Sequence, residues 1–194
     1  AVGMEAGAAS TRASGSVYLG RRAGKTNSTG NNNIGIGIDA MNGGTTTGDN
    51  NIAIGANAGD NLTSGYQNVL IGKLAGESMT EGLSNVIIGT QAGDALNTQD
   101  NIVAIGTRAL TEAATQDNTV AIGYQSLYNL TSGAGNVAVG YNSGVTLAEG
   151  NKNTVVGYQA HDAAQEDSAC TAIGYQALTS ALVSNTGTAV NTHN

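Results

Sequence analysis

The chain has 194 residues, of which 40% are hydrophobic and only 11% charged, and it contains no Pro, Trp or Phe. Its net charge of −7 excludes nucleic acid and anionic membrane surfaces as main partners. Glycine makes up about 15% (29 of 194), roughly twice ordinary usage, and a core without Phe or Trp must be built from small and β-branched side chains, as in thin stacked layers.

Glycine also recurs in register. Gly3, Gly20, Gly37, Gly55, Gly72, Gly89, Gly106, Gly123, Gly140, Gly157 and Gly174 are spaced by 17 residues in nine of ten intervals, and by 18 between Gly37 and Gly55. A twelfth anchor falls at Asn191, after Thr188-Ala189-Val190. Such a period is the signature of a repeat array, not of a compact enzyme domain. The register continues throughout, so residues 1–194 read as one repeat domain. The chain starts inside a repeat unit at Ala1, which suggests an excerpt of a longer repetitive protein.

Each anchor follows a short predicted strand. The residue before it is aliphatic, from Val2, Leu19 and Ile36 through Val139, Val156 and Ile173. The residue three before is usually β-branched, from Val17, Ile34 and Ile52 through Val137, Thr154 and Thr171. These two positions share one side of an extended strand, which β-branched residues favour. The residue between them points the other way and is small or apolar: Gly35, Ala53, Leu70, Ile87, Ala104, Ala121, Ala138, Val155 and Ala172. Both strand faces therefore read as buried, one in the solenoid interior and the other against a further surface, of which an identical chain is the simplest. The fold expected is an all-β parallel β-solenoid of about eleven rungs. At about 4.8 Å per rung it would be roughly 50 Å long.

The rest of the unit is also patterned. Three residues after the anchor stands Ala or Ser, for example Ala75, Ala92, Ser126 and Ser143. Seven after it, Leu62, Met79, Leu96, Leu130 and Leu147 add an apolar contact, replaced by Ala113, Ala164 and Ala181 elsewhere. Ser126, Leu127 and Leu130 have helical spacing, with Gly133 placed like a cap, so loops or single helical turns are expected there. Asn33, Asn51, Asn68, Asn85, Asn136 and Asn153 stand four before their anchors and suit a stacked amide ladder. Asp49, Asp60, Asp100 and Asp117 lie nearby, but the pattern of calcium-binding β-rolls is absent.

The consensus Asn-x-Ala-Ile-Gly-Tyr-Gln-Ala-Leu stands in part in Asn136-Val137-Ala138-Val139-Gly140 and in Thr171-Ala172-Ile173-Gly174-Tyr175-Gln176-Ala177-Leu178. Val103-Ala104-Ile105-Gly106 and Val120-Ala121-Ile122-Gly123 resemble the head repeats of trimeric autotransporter adhesins. The Gly-Tyr-Gln-Ala-Leu stretch and its spacing are still more similar to repetitive segments of phage tail fibres. The resemblance covers the whole chain and implies a left-handed parallel β-roll, three chains side by side, other fibre or virion proteins as partners, and a place on a virion or cell surface. The adhesin head repeat is shorter, so longer connections are expected here. A bacterial trimeric adhesin and, less well, an ice-binding solenoid are the rival readings; the latter needs a regular threonine row, and Thr45, Thr63, Thr80 and Thr131 are interrupted by Asn97, Ala114 and Ala148.

No catalytic residues, metal site or cofactor are expected. His161 and His193 have no partner at metal-ligand spacing along the chain. Cys170 excludes an internal disulfide and reads as a neutral replacement of a polar repeat residue. Arg12, Arg21, Arg22 and Lys25 read as a solvated edge. One surface row suggests a ligand. Tyr124, Tyr141, Tyr158 and Tyr175 follow successive anchors, with Gln125, Asn142, Gln159 and Gln176 beside them. Stacked tyrosines stiffen a rod; with amides alongside, the same row also suits a host cell-surface glycan. No apolar run is long enough to insert in a membrane.

Overall fold

The computed structural model describes residues 1–112, 117–162 and 165–179. Among the described residues, ten three-residue strands form one parallel sheet in sequence order. They are β1 Val17–Leu19, β2 Ile34–Ile36, β3 Ile52–Ile54, β4 Val69–Ile71, β5 Val86–Ile88, β6 Val103–Ile105, β7 Val120–Ile122, β8 Val137–Val139, β9 Thr154–Val156 and β10 Thr171–Ile173. The strands occupy the three residues before each anchor, as the periodicity predicts. Register is in phase throughout: Val103 pairs with Val120, Ala104 with Ala121 and Ile105 with Ile122. An isolated parallel bridge between Val2 and Leu19 carries the ladder one rung further. Asn191 lies outside the described residues.

The winding is held by hydrogen bonds that alternate between the rungs on either side. Val103 N–H donates to Thr119 O of the following rung, and Gly106 N–H to Ile88 O of the preceding one. Arg108 N–H then donates back to Thr90 O, and Leu110 N–H forward to Ser126 O. Each rung is thereby bonded to both neighbours.

The middle strand residue faces the interior. Ala53, Leu70, Ile87, Ala104, Ala121 and Ala138 are fully buried, while their neighbours on each strand are half-buried. The interior is narrow, and its volume is shared among three positions per rung. Where the residue seven after the anchor is large, the residue four after is usually Gly, as in Gly59 with Leu62 and Gly93 with Leu96. A Cβ on Gly93 would lie 2.7 Å from Leu96 Cδ1, so the two positions share one space, and Leu127 with Leu130 fills both in a single rung. Met41, Leu110, Leu127 and Leu178 fill the same space from the fourth position.

Of the loops or single helical turns expected after the anchor, the described residues form loops. Gln125 and Leu127 have φ of 51° and 50°, and an α-helix contains no such residues. Left-handed residues instead recur two and four after the anchor and five before the next. They include Gln91, Arg108, Met41, Leu110, Asn101 and Asn118. The chain thus turns the corners of the solenoid through single left-handed residues, and Gly133 caps no helix.

Polar residues continue the ladder inside. Asn51, Asn68 and Asn85 are fully buried. Asn68 Oδ1 accepts the Asn85 backbone N–H at 3.0 Å, and Asn68 Nδ2 donates to Gly82 O at 2.7 Å. A second ladder runs along the rim. Asp49, Asp100 and Asp117 accept the N–H groups of Asn31, Leu83 and Asp100. These acids are occupied as turn acceptors.

One stacked row opposes folding. Asp60, Glu77 and Asp94 follow successive anchors by five residues and are half-buried. Burial first, then the Asp94 and Asp60 carboxylates, push the Glu77 carboxyl up; burial likewise raises Asp94. A carboxyl raised in the fold holds its proton more tightly there than in the unfolded chain. Its stabilising effect is full below the ordinary values of 4.5 and 3.8 and is lost as pH rises through the folded values. Glu77→Gln is therefore expected to raise the melting temperature at pH 7 by about 1–2 °C, the equivalent of about 0.5 kcal/mol of relieved like-charge stacking. It should also flatten the loss of stability between pH 4.5 and neutrality. Identical melting curves at pH 7 would remove the row from the account.

Candidate functional site: an aliphatic face and a tyrosine ladder

The outward side of the sheet is apolar along its whole length. Of its twenty positions, eighteen are Val, Ile or Leu, and only Thr154 and Thr171 differ. No charged residue interrupts it. Inner rungs screen each other, but at the ends Val17, Leu19 and Ile173 are about half exposed, at 51%, 47% and 54%. A sheet that faces water on one side carries polar residues there. A continuous apolar strip of ten strands, about 43 Å long at the parallel-strand spacing, is instead the mark of an interaction surface. The sequence reading had both strand faces buried; in the single chain the outer one lies open.

The four tyrosines line up as the period requires. Successive ring centroids of Tyr124, Tyr141, Tyr158 and Tyr175 are 5.1, 5.2 and 5.4 Å apart, with interplanar angles of 12°, 10° and 8°. Each ring is more than a third exposed. The amides beside them form a partial row: Gln176 Nε2 donates to Gln159 Oε1 at 3.0 Å. Gln125, Asn142, Gln159 and Gln176 all occupy left-handed corners, so their side chains leave the rung from a bent backbone. The stacking contributes about 0.5–1.5 kcal/mol per pair. Removing Tyr141 and Tyr158 together breaks all three pairs. Tyr141→Ala with Tyr158→Ala is expected to lower the melting temperature by about 4–10 °C and leave binding to glycan arrays unchanged. Loss of a glycan signal with the fold intact would make the row a sugar site.

The basic residues near the start are used between rungs. Arg22 Nε lies 2.7 Å from Asp39 Oδ1, Arg21 is 3.4 Å from the same carboxylate, and Lys25 Nζ is 2.9 Å from Glu5. This is no free basic patch.

One grouping is invisible in the linear spacing. The winding brings His161, Asp167 and Cys170 together, with one side-chain donor atom from each within 4.8 Å of the others. All three are buried, His161 to 1% and Cys170 to 2% exposure. His161 thus has neighbours that chain spacing did not reveal, Cys170 among them. Burial, then the Asp167 carboxylate, pushes the Cys170 thiol up. His193 lies outside the described residues.

No helix among the described residues is long and apolar enough to cross a membrane. No protein-family model, curated protein or solved structure matches the chain.

Proposed function

We propose that the chain is a segment of a homotrimeric fibre, of the phage tail fibre type, that spans distance stiffly and supports attachment to a host surface. The observation that carries this reading is the uncovered aliphatic face. Eighteen outward Val, Ile and Leu residues would be half in water in a lone chain, at a cost of about 25 cal/mol per Å² of apolar area left open. Pairing that face with two identical copies covers it with complementary side chains at a repeat that matches rung for rung. The resemblance of the Gly-Tyr-Gln-Ala-Leu stretch to tail-fibre repeats supports the fibre setting. Equivalent surfaces repeated along each chain, and across three chains, would multiply weak contacts with a host surface.

The reading is tested on the face itself. Ile71→Lys together with Ile105→Lys places two charges on the outer side of β4 and β6 without touching the interior. The double variant is expected to sediment as a single chain of 19.2 kDa with its β spectrum retained. An unchanged native mass would place the contact elsewhere.

A further inference from the structure

Three positions of one rung depart from the repeat at once, and all three departures supply metal-ligand atoms. The residue four after the anchor is Gly, Leu or Met in the other described rungs and His161 here. The residue ten after is Gly30, Gly65, Gly82, Gly133 or Gly150 in five rungs and Asp167 here. The residue four before the next anchor is Asn in six rungs and Cys170 here. Independent drift at three solvent-facing positions would mean little. These three side chains instead point into one buried space.

The chemistry of that space is unfinished. Nδ1 and Nε2 of His161 are both buried and have no hydrogen-bond partner among the described residues. Nε2 lies 3.3 Å from Asp167 Oδ2 but is not aligned to donate to it. A buried imidazole left in that state keeps the full desolvation penalty of its unmet groups. A tetrahedral zinc ion with bonds of about 2.0–2.2 Å to nitrogen and oxygen holds those two atoms about 3.3–3.5 Å apart. The His161–Asp167 separation already has that value. With all three donors inside 4.8 Å, the sulfur needs at most about 1 Å of movement to complete the set.

We infer that His161, Asp167 and Cys170 bind one zinc-type divalent ion inside the solenoid. The Cys170 thiol passes its proton to solvent as the sulfur ligates, and a water takes the fourth position. Borderline-soft nitrogen and sulfur donors select zinc over magnesium or calcium, which take all-oxygen shells. In this rung Cys170 cannot pass on the Asn ladder. The ion would bind the rung of Gly157 to the start of the next where that device is missing.

The test uses the full chain, loaded with Zn²⁺ or Co²⁺ both as the folded protein and during refolding, so that slow penetration is not read as absence. One equivalent per chain should survive exhaustive dialysis. Bound Co²⁺ should show thiolate-to-cobalt charge transfer and tetrahedral visible bands. The variants His161→Leu, Asp167→Gly and Cys170→Asn each restore a residue that other rungs use at that position, so they are chosen to fold. Each should abolish the charge-transfer band or change its geometry, and the triple variant should retain no ion, while His193→Ala should retain it fully. A folded wild-type chain that keeps no metal by either route would overturn the inference and leave a buried His161–Asp167 pair. So would equal retention by the triple variant.

Discussion

Gly106→Ala is expected to disrupt the solenoid around its own rung and to cost about 3–5 kcal/mol. Gly106 has φ of 133°, outside the left-handed well that Asn or Gln can occupy. A Cβ there would lie 2.6 Å from the carbonyl carbon of Gly123, the anchor one rung on, and nearer still to its oxygen. That neighbour is backbone held in the ladder, so it cannot move aside without breaking hydrogen bonds to the next rung. Gly135 provides the contrast. It also has positive φ, at 72°, but a Cβ would meet only Lys152 Cγ at 3.6 Å. Other rungs put Asn101, Asn118 or Lys152 at that corner. Gly135→Asn is expected to change stability by less than about 0.5 kcal/mol. Denaturant melts of the two variants check the pair; similar losses in both would mean that conformational freedom, not rung spacing, keeps the anchors Gly.

Asn68→Ala is expected to cost about 3 kcal/mol or more and to lower the melting temperature by about 6–12 °C. Three neighbouring groups lose a partner. The Gly82 carbonyl loses its donor, the Asn85 backbone N–H loses its acceptor, and the Asn85 side-chain amide loses one of its acceptors while keeping Gln99 O. All lie in the interior, where water does not replace the lost bond. Asn68→Asp keeps the acceptor and removes the donor, so it should rescue the Asn85 contacts while burying a charge. It is therefore expected to be no better than Ala. Circular dichroism melts measure both. A loss below about 1 kcal/mol would show the ladder to be ornament on a sheet that holds itself.

These two sites also show what the chain discloses by itself. The anchors, the strand limits and the buried Asn row could be read from spacing because parallel stacking places equivalent residues in identical surroundings. Which strand face turns inward was less accessible, since Ala53 and Ile54 are both apolar; burial of Ala53 and half-exposure of Ile54 resolve it. The corners were left open near Leu127, between loops and single helical turns. Its spacing from Leu130 mimics a helix, but the physical demand there is for left-handed φ. A signal did exist: Met41, Leu110, Leu127, Gln91 and Asn118 share with the other left-handed residues a lack of β-branching, which that conformation penalises. The His161 grouping was hidden because Asp167 and Cys170 become its neighbours only through the turn of the coil. Comparing rungs position by position would have exposed all three departures.

The fibre reading rests on an aliphatic face that needs a cover, and the native mass of the purified chain tests it most directly. Light scattering at micromolar concentration is expected to give about 58 kDa, three times the 19.2 kDa chain. A folded species of 19.2 kDa would contradict the trimer and leave the eighteen outward aliphatic residues without the partner proposed for them.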